Sequence, residues 1–128
     1  MINDLYPKLV VADADQAIDF YTKTLGATQK VRFVDDSGRV VHAELDLDGS
    51  VIALAQAVNE WGWSAPTTVG GSPVLLLLTS SDPDSTAERM VQHGAEVVIP
   101  IENRPYGKRE GRVKDPYGHM WIISGEPK

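Results

Sequence analysis

The sequence predicts an α+β fold made of two tandem βαβββ modules, and three observations lead there. Each half holds one amphipathic helix among apolar, β-branched runs, and each helix opens on an aspartate and closes on a glycine. Matching landmarks in the two halves also keep nearly one spacing: the helix-stopping Gly26 and Gly94 are 68 apart, and the turn glycines Gly49 and Gly118 are 69 apart. Two distant landmarks that agree within one residue mark a structural repeat.

The elements follow in order. "LYPKLVVA" reads as a strand, and Asp13 behind it caps the helix "ADQAIDFYTKTLG", with Gln16 placed three residues on as in a capping box. Ala14, Ala17, Ile18, Tyr21 and Leu25 recur at helical spacing. "TQKVRFV", "RVVHAELDL" and "SVIALAQ" then read as strands separated by the turns "DDSG" and "DG". In the second half "PVLLLLT" is a strand, and "SSDPDSTAERMVQHG" a helix with Asp82 as cap and Pro83 in its first turn. "AEVVIP", "REGRVKD" and "HMWIIS" complete it. Residues 1–128 thus read as a single domain: a first module at 1–56, a Trp-containing linker at 57–73 and a second module at 74–128.

Composition removes several function classes. A chain of 128 residues with 42% hydrophobic content fits one domain with a modest core. A formal net charge of −6 argues against a nucleic-acid partner, because phosphates call for a basic face. There is no cysteine, so thiolate chemistry and disulfides are excluded and a cytoplasmic location is expected. No apolar run approaches the roughly 20 residues of a membrane span, so no membrane partner is expected.

The stretch "AVNEWGWSAPTTVGGSP" between the modules carries Trp61 and Trp63. The indoles either lie on the domain's own core or form an aromatic wall for a planar ligand.

The pieces "VADADQAIDFYTKTLGA", "HAELDLDGSVIAL", "GGSPVLLLL" and "GRVKDPYGHMW", spread in this order over nearly the whole chain, resemble the vicinal oxygen chelate superfamily. That group includes glyoxalase I, bleomycin resistance proteins and extradiol dioxygenases. "HAEL", "GGSP" and "DPYGHMW" are most similar to its PhnB-like branch. The resemblance implies a curved eight-stranded mixed sheet around a cleft (the glyoxalase/bleomycin resistance fold), and a homodimer.

The resemblance also implies where a metal would sit, on the first and fourth strands of each module. Counted from Asp13 and Asp115 with the repeat offsets, those places hold Tyr6, Ala53, Val74 and Ile122. Three of the four have no donor atom, and a stable site needs three or four. The expectation is a chain without a metal or other cofactor.

Strand pairing suggests other polar groups on the same face. A two-residue Asp48-Gly49 turn sets Glu44 opposite Ala53 and places His42 on that face, with Lys8 two residues from Tyr6. A like count from Tyr117-Gly118 pairs Ile122 with Val113 and brings in Arg109. Lys8, His42, Glu44 and Arg109 could be a buried polar network with Glu44 paired to Lys8 or Arg109. They could instead orient a ligand, or catalyse with His42 or Glu44 as base and Arg109 steadying an anion. Tyr6, Trp61, Trp63 and Tyr106 are candidates for stacking on a ligand, and Phe33 is a further one. His93 is expected to close a helix and His119 to face outward. Trp121 is expected on the helix-covered side or at a subunit contact. The loop "ENRPYGKREG" reads as a solvated loop or a flap.

The function this supports is metal-free binding of a planar or aromatic small molecule, of the drug-sequestering, antibiotic-resistance kind. The alternative is a metal-dependent glyoxalase-like lyase or dioxygenase with a displaced site using His42 and Glu44. A module that acts only through protein contacts is a third reading.

Overall fold

In chain order, the computed structural model of residues 1–128 contains β1 (Lys8–Val11), α1 (Ala14–Leu25), β2 (Thr28–Val34), β3 (Val40–Leu47) and β4 (Ser50–Gln56). A 3-10 turn (Asn59–Trp61) and the short α2 (Pro66–Val69) lead to β5 (Leu75–Thr79), α3 (Pro83–Gln92), β6 (Glu96–Asn103), β7 (Arg109–Lys114) and β8 (Met120–Gly125). The capping aspartates fix both long helices. Asp13 accepts the N–H of Gln16 at 3.1 Å and Asp82 that of Ser85 at 3.1 Å, each satisfying a donor that the first turn leaves open. α1 ends at Gly26 in the left-handed region; α3 ends one residue earlier than the glycine stop, at His93, with Gly94 following.

The eight strands form two four-stranded sheets, β1-β4-β3-β2 and β5-β8-β7-β6, one in each βαβββ module. In both, the first and fourth strands of the module pair in parallel and the rest are antiparallel. The chain divides into two compact units, Met1–Thr68 and Val69–Lys128, so residues 57–68 of the Trp-containing stretch fold with the first module. No helix is long and apolar enough to cross a membrane.

In the first unit, Arg32 reaches Asp15 of α1 at 2.8 Å, and Arg32 pairs with Ala43 in the sheet. α1 therefore covers the face that carries Ala43, Leu45, Leu54 and Leu9, where these side chains bury against Ala14, Ala17 and Tyr21. The opposite, helix-free face carries Lys8, Val31, Phe33, His42, Glu44 and Ala53. This register is the one the Asp48-Gly49 turn predicts: Leu47 faces Ser50 and Glu44 faces Ala53. Both turn residues have positive φ, 53° and 100°, as a type I′ hairpin requires.

The second hairpin departs from expectation. Asp115 pairs with His119 through a 2.9 Å N–H···O bond, so three residues, 116–118, form the loop instead of two. Ile122 consequently faces Arg112, and Val113 faces Trp121. A one-residue change of register exchanges the faces of the whole strand. Arg109, Gly111 and Val113 lie on the side that α3 covers, while Glu110 and Arg112 share the helix-free side with Met120, Ile122, Leu75 and Leu77.

The register also moves one family position. Lys8 pairs with Ala53 and Leu77 with Ile122, so the first and fourth strands are both offset by 69 (77 minus 8, 122 minus 53). The counterpart of Tyr6 is therefore Leu75, not Val74.

Gly111 lies under a bulge of β6. A Cβ built there would stand 2.6 Å from the carbonyl oxygen of Ile99 and 2.8 Å from the backbone nitrogen of Ile101. Beside this bulge, a groove of about 490 Å³ runs between α3 and β6, walled by Val91, Val97, Ile99 and Ile101. Its origin is visible in the other module. There Arg32 spans the gap to Asp15, whereas opposite Gly111 the second module has Pro100 and Ile101, which have no charge to send to the helix. Asp84 of α3 turns to Arg109 instead, in a bidentate pair at 2.9 and 3.0 Å, and also takes Lys128 at 2.9 Å.

Two outcomes follow from this packing. Gly111→Ala must push the β6 backbone aside, and thermal or urea unfolding should show a loss of about 1–3 kcal/mol. Arg109 foremost, then Lys128, holds the Asp84 carboxyl at about 2, below its ordinary value of 3.8. A depressed carboxylate stabilises the fold above its unfolded pKa and loses that contribution as pH falls toward the folded one. The stability gap between wild type and Asp84→Asn should therefore be full above pH ~4 and close by pH ~2 when denaturation is followed across that window.

Candidate functional site

The helix-free face of the first sheet gathers the chemistry. His42 and Glu44 alternate onto it from β3, and their side chains meet: His42 Nε2 lies 2.8 Å from Glu44 Oε2. An ionised carboxylate only accepts, so against it Nε2 donates, and in the neutral imidazole Nδ1 then keeps its lone pair for another partner. Both side chains stay reachable, with 24% and 27% of their surface exposed. Phe33, opposite His42 on β2, stacks on the imidazole with centroids 6.3 Å apart and planes 23° apart. A histidine oriented by a carboxylate and backed by a phenyl ring can accept a proton or a hydrogen bond from a bound molecule.

The tryptophans frame the same sheet. Val58 and Trp63 form an antiparallel bridge that folds the segment after β4 back on itself. Lys8 Nζ sits 4.6 Å from the centroid of Trp63, a cation–π contact, and so does not pair with Glu44. Trp61 packs edge-on to Trp63 at 5.1 Å, and Arg39 lies over its ring at 5.6 Å. Arg39 is itself held by Asp35, which also accepts from Ser37; the Ser37 hydroxyl is the largest of the contacts that keep the Asp35 carboxyl well below the usual carboxylate range. The "DDSG" turn thus fixes Arg39, and Arg39 supports Trp61. Tyr6 precedes β1, where the carbonyl of Pro7 accepts the N–H of Ala53. It is partly exposed.

Other expected members lie elsewhere. Arg109 does not share a face with Ile122, because the three-residue loop moves it to the α3 side, where Asp84 neutralises it and raises its pKa. Tyr106 stands in the β6–β7 loop and donates its hydroxyl to Glu110 at 2.7 Å, which pushes the phenol up and holds the carboxyl down. His119 does not face outward. It is buried beside Asp115, whose carboxylate accepts its N–H. Trp121 is buried on the helix side and donates its indole N–H to Asp115 at 2.9 Å. His93 caps α3 as expected. Glu110 and Arg112 were missed; recognising the third loop residue would have placed them on the helix-free face.

The superfamily's metal can be tested against these residues. Ala53, Leu75 and Ile122 have no donor, and Tyr6 has a phenol only. His42 and Glu44 supply two donors, and no group of three or more His, Asp or Glu side chains comes together to hold an ion. The residues do not fit a protein-held metal.

Residues 5–123 match the model of the glyoxalase/bleomycin resistance protein/dioxygenase superfamily, and the chain belongs to that superfamily. It is 40% identical over 126 residues to the Mycobacterium tuberculosis protein Rv0887c, covering 96% of this chain and 74% of the relative. The crystal structure of the Arabidopsis thaliana gene product At5g48480 superposes with a TM-score of 0.77 at 25% identity, covering 97% of this chain and 99% of that one. The fosfomycin resistance protein FosX from Mesorhizobium loti shares the fold, with a TM-score of 0.69 at 17% identity over 98% of this chain and 93% of that one.

The three indoles should separate in hydrogen exchange followed by NMR. The Trp121 N–H, bonded to a buried carboxylate, exchanges slowly, while that of Trp61, which is 55% exposed, exchanges at once. Lys8→Met should shift the Trp63 indole resonance and leave Trp121 in place.

Proposed function

We propose that this member of the superfamily binds a planar or aromatic small molecule on the helix-free face of its first sheet, without a metal. The observation that carries this reading is the Phe33–His42–Glu44 stack beside the Lys8–Trp63 pair. It joins aromatic surface to a few oriented polar groups, which is the composition of small-molecule sites. Phe33, Trp61 and Trp63 supply stacking surface, while the imidazole Nδ1 and the second oxygen of Glu44 offer acceptors for a donor on the ligand. Superfamily members include bleomycin resistance proteins, and sequestration of a drug is the role that this aromatic face and the donor-poor metal positions favour. The same reading takes the chain as PhnB-like, cytoplasmic and homodimeric. Leu77, 62% exposed on the second sheet's helix-free face, is apolar surface that a second copy would cover.

One observation favours a second reading. His42 and Glu44 are bonded to each other and still reachable, so they could act as a base in a glyoxalase-like lyase or dioxygenase, with a metal completed by donors from outside the chain.

Metal analysis and ligand titration separate the two. Under the first reading the purified chain carries no stoichiometric metal, and planar polycyclic compounds quench its tryptophan fluorescence. Phe33→Ala and Trp63→Ala should then each weaken binding about fivefold, the equivalent of about 1 kcal/mol of aromatic contact. One zinc, iron, nickel or manganese per chain, with a turnover that a chelator stops and that His42→Ala and Glu44→Ala abolish in a folded protein, would sink it.

A further inference from the structure

The second unit carries polar groups of different chemistry at the equivalent sheet positions. Glu44 faces Ala53, and Arg112 faces Ile122, the counterpart of Ala53; stepping two residues along each strand, His42 corresponds to Glu110. Where the first module presents a base and an acid, the second presents an acid and a guanidinium.

The surroundings of Arg112 form a site. A hollow of about 190 Å³ is lined by Ile99, Arg104, Tyr106, Glu110, Gly111 and Arg112. For scale, a cavity of about 150 Å³ accepts a benzene ring. Its walls are fixed in advance. Arg104 donates Nε–H to the carbonyl of Glu110 at 3.0 Å and a second N–H to the carbonyl of Pro100, and its backbone closes the loop through Lys108 and Gly107. Tyr106 is held by its bond to Glu110, so its ring, in a residue 65% exposed, does not have to be ordered when a ligand arrives. Ser124 also donates to Glu110, which leaves that carboxylate satisfied.

Arg112 is different. Of the six arginines in the chain it alone has no hydrogen-bond or ion-pair partner, although it is next to Glu110 on the same face. The hollow thus presents two guanidinium groups against one carboxylate, within a chain whose net charge is −6. A guanidinium with open donors selects a planar carboxylate through paired N–H···O bonds.

We propose that this hollow at the β6–β7 hairpin is a binding subsite for a small aromatic carboxylate, its ring against Tyr106 and its carboxylate on Arg112. The site is built from second-unit residues alone.

Sodium benzoate is the probe, with benzamide as the uncharged control, and amide NMR of the full chain the readout. Benzoate should shift the Tyr106, Gly107 and Arg112 resonances in a saturable way. Arg112→Ala should weaken benzoate binding at least about tenfold while leaving the rest of the spectrum unchanged. Arg112→Lys should recover part of the affinity, as a charge without the paired geometry does. Benzamide should bind more weakly, and equally to wild type and Arg112→Ala. The proposal fails if benzoate produces no saturable shifts, if its shifts fall only on first-unit residues, or if Arg112→Ala binds it as well as wild type does.

Discussion

The carboxylate of Asp115 sets the geometry of the second sheet. It is 2% exposed and accepts hydrogen bonds from the backbone N–H groups of Tyr117 and His119 and from the indole of Trp121. The first two hold a three-residue loop in place, and the third ties that loop to the core. Because strand side chains alternate, the loop decides which residues of β7 meet α3 and which meet the helix-free side. The Arg109–Asp84 pair and the Arg112 hollow are both consequences of that choice.

The two modules solve the same packing problem with different contacts. In each, a helix covers one face of a four-stranded sheet and the first and fourth strands run parallel at its edge. The acid in the first turn of the helix reaches for an arginine in both. In the first module that arginine is Arg32 on β2, which closes the gap beside α1; in the second it is Arg109 on β7, which leaves the gap beside β6 open. The helix-free faces diverge further. Ala53 and Ala55 are buried on the first, whereas Leu75 and Leu77 stand exposed on the second.

Much of this was legible in the sequence because it rests on short-range rules. The aspartate caps, Gly26 and the Asp48-Gly49 turn each act within four residues, and they located α1 and the β3–β4 register, which sets His42 and Glu44 on one face; that Glu44 bonds to His42 and not to Lys8 or Arg109 was not legible. What was not legible depended on side chains that change a local rule. Tyr117-Gly118 reads as a two-residue turn until the Asp115 side chain captures two N–H groups and adds a residue to the loop. That single residue misplaced Arg109 and hid Arg112. The partner of Lys8 was equally out of reach, since it depends on how the Val58–Trp63 bridge folds a loop back, which no periodicity encodes.

The loop at residues 116–118 also bears on how a tandem repeat diverges. β4 and β8 are offset by 69, while β3 and β7 are offset by 68 (112 minus 44), and the hairpin tip absorbs the difference. Ala43 still corresponds to Gly111 and Leu45 to Val113, so the core-facing pattern survives a change in length. The extra residue of the second module is taken up at the hairpin tip, between Asp115 and His119. Length can drift there while each strand position keeps its address and is free to change its chemistry, histidine to glutamate and glutamate to arginine, without the sheet being rebuilt.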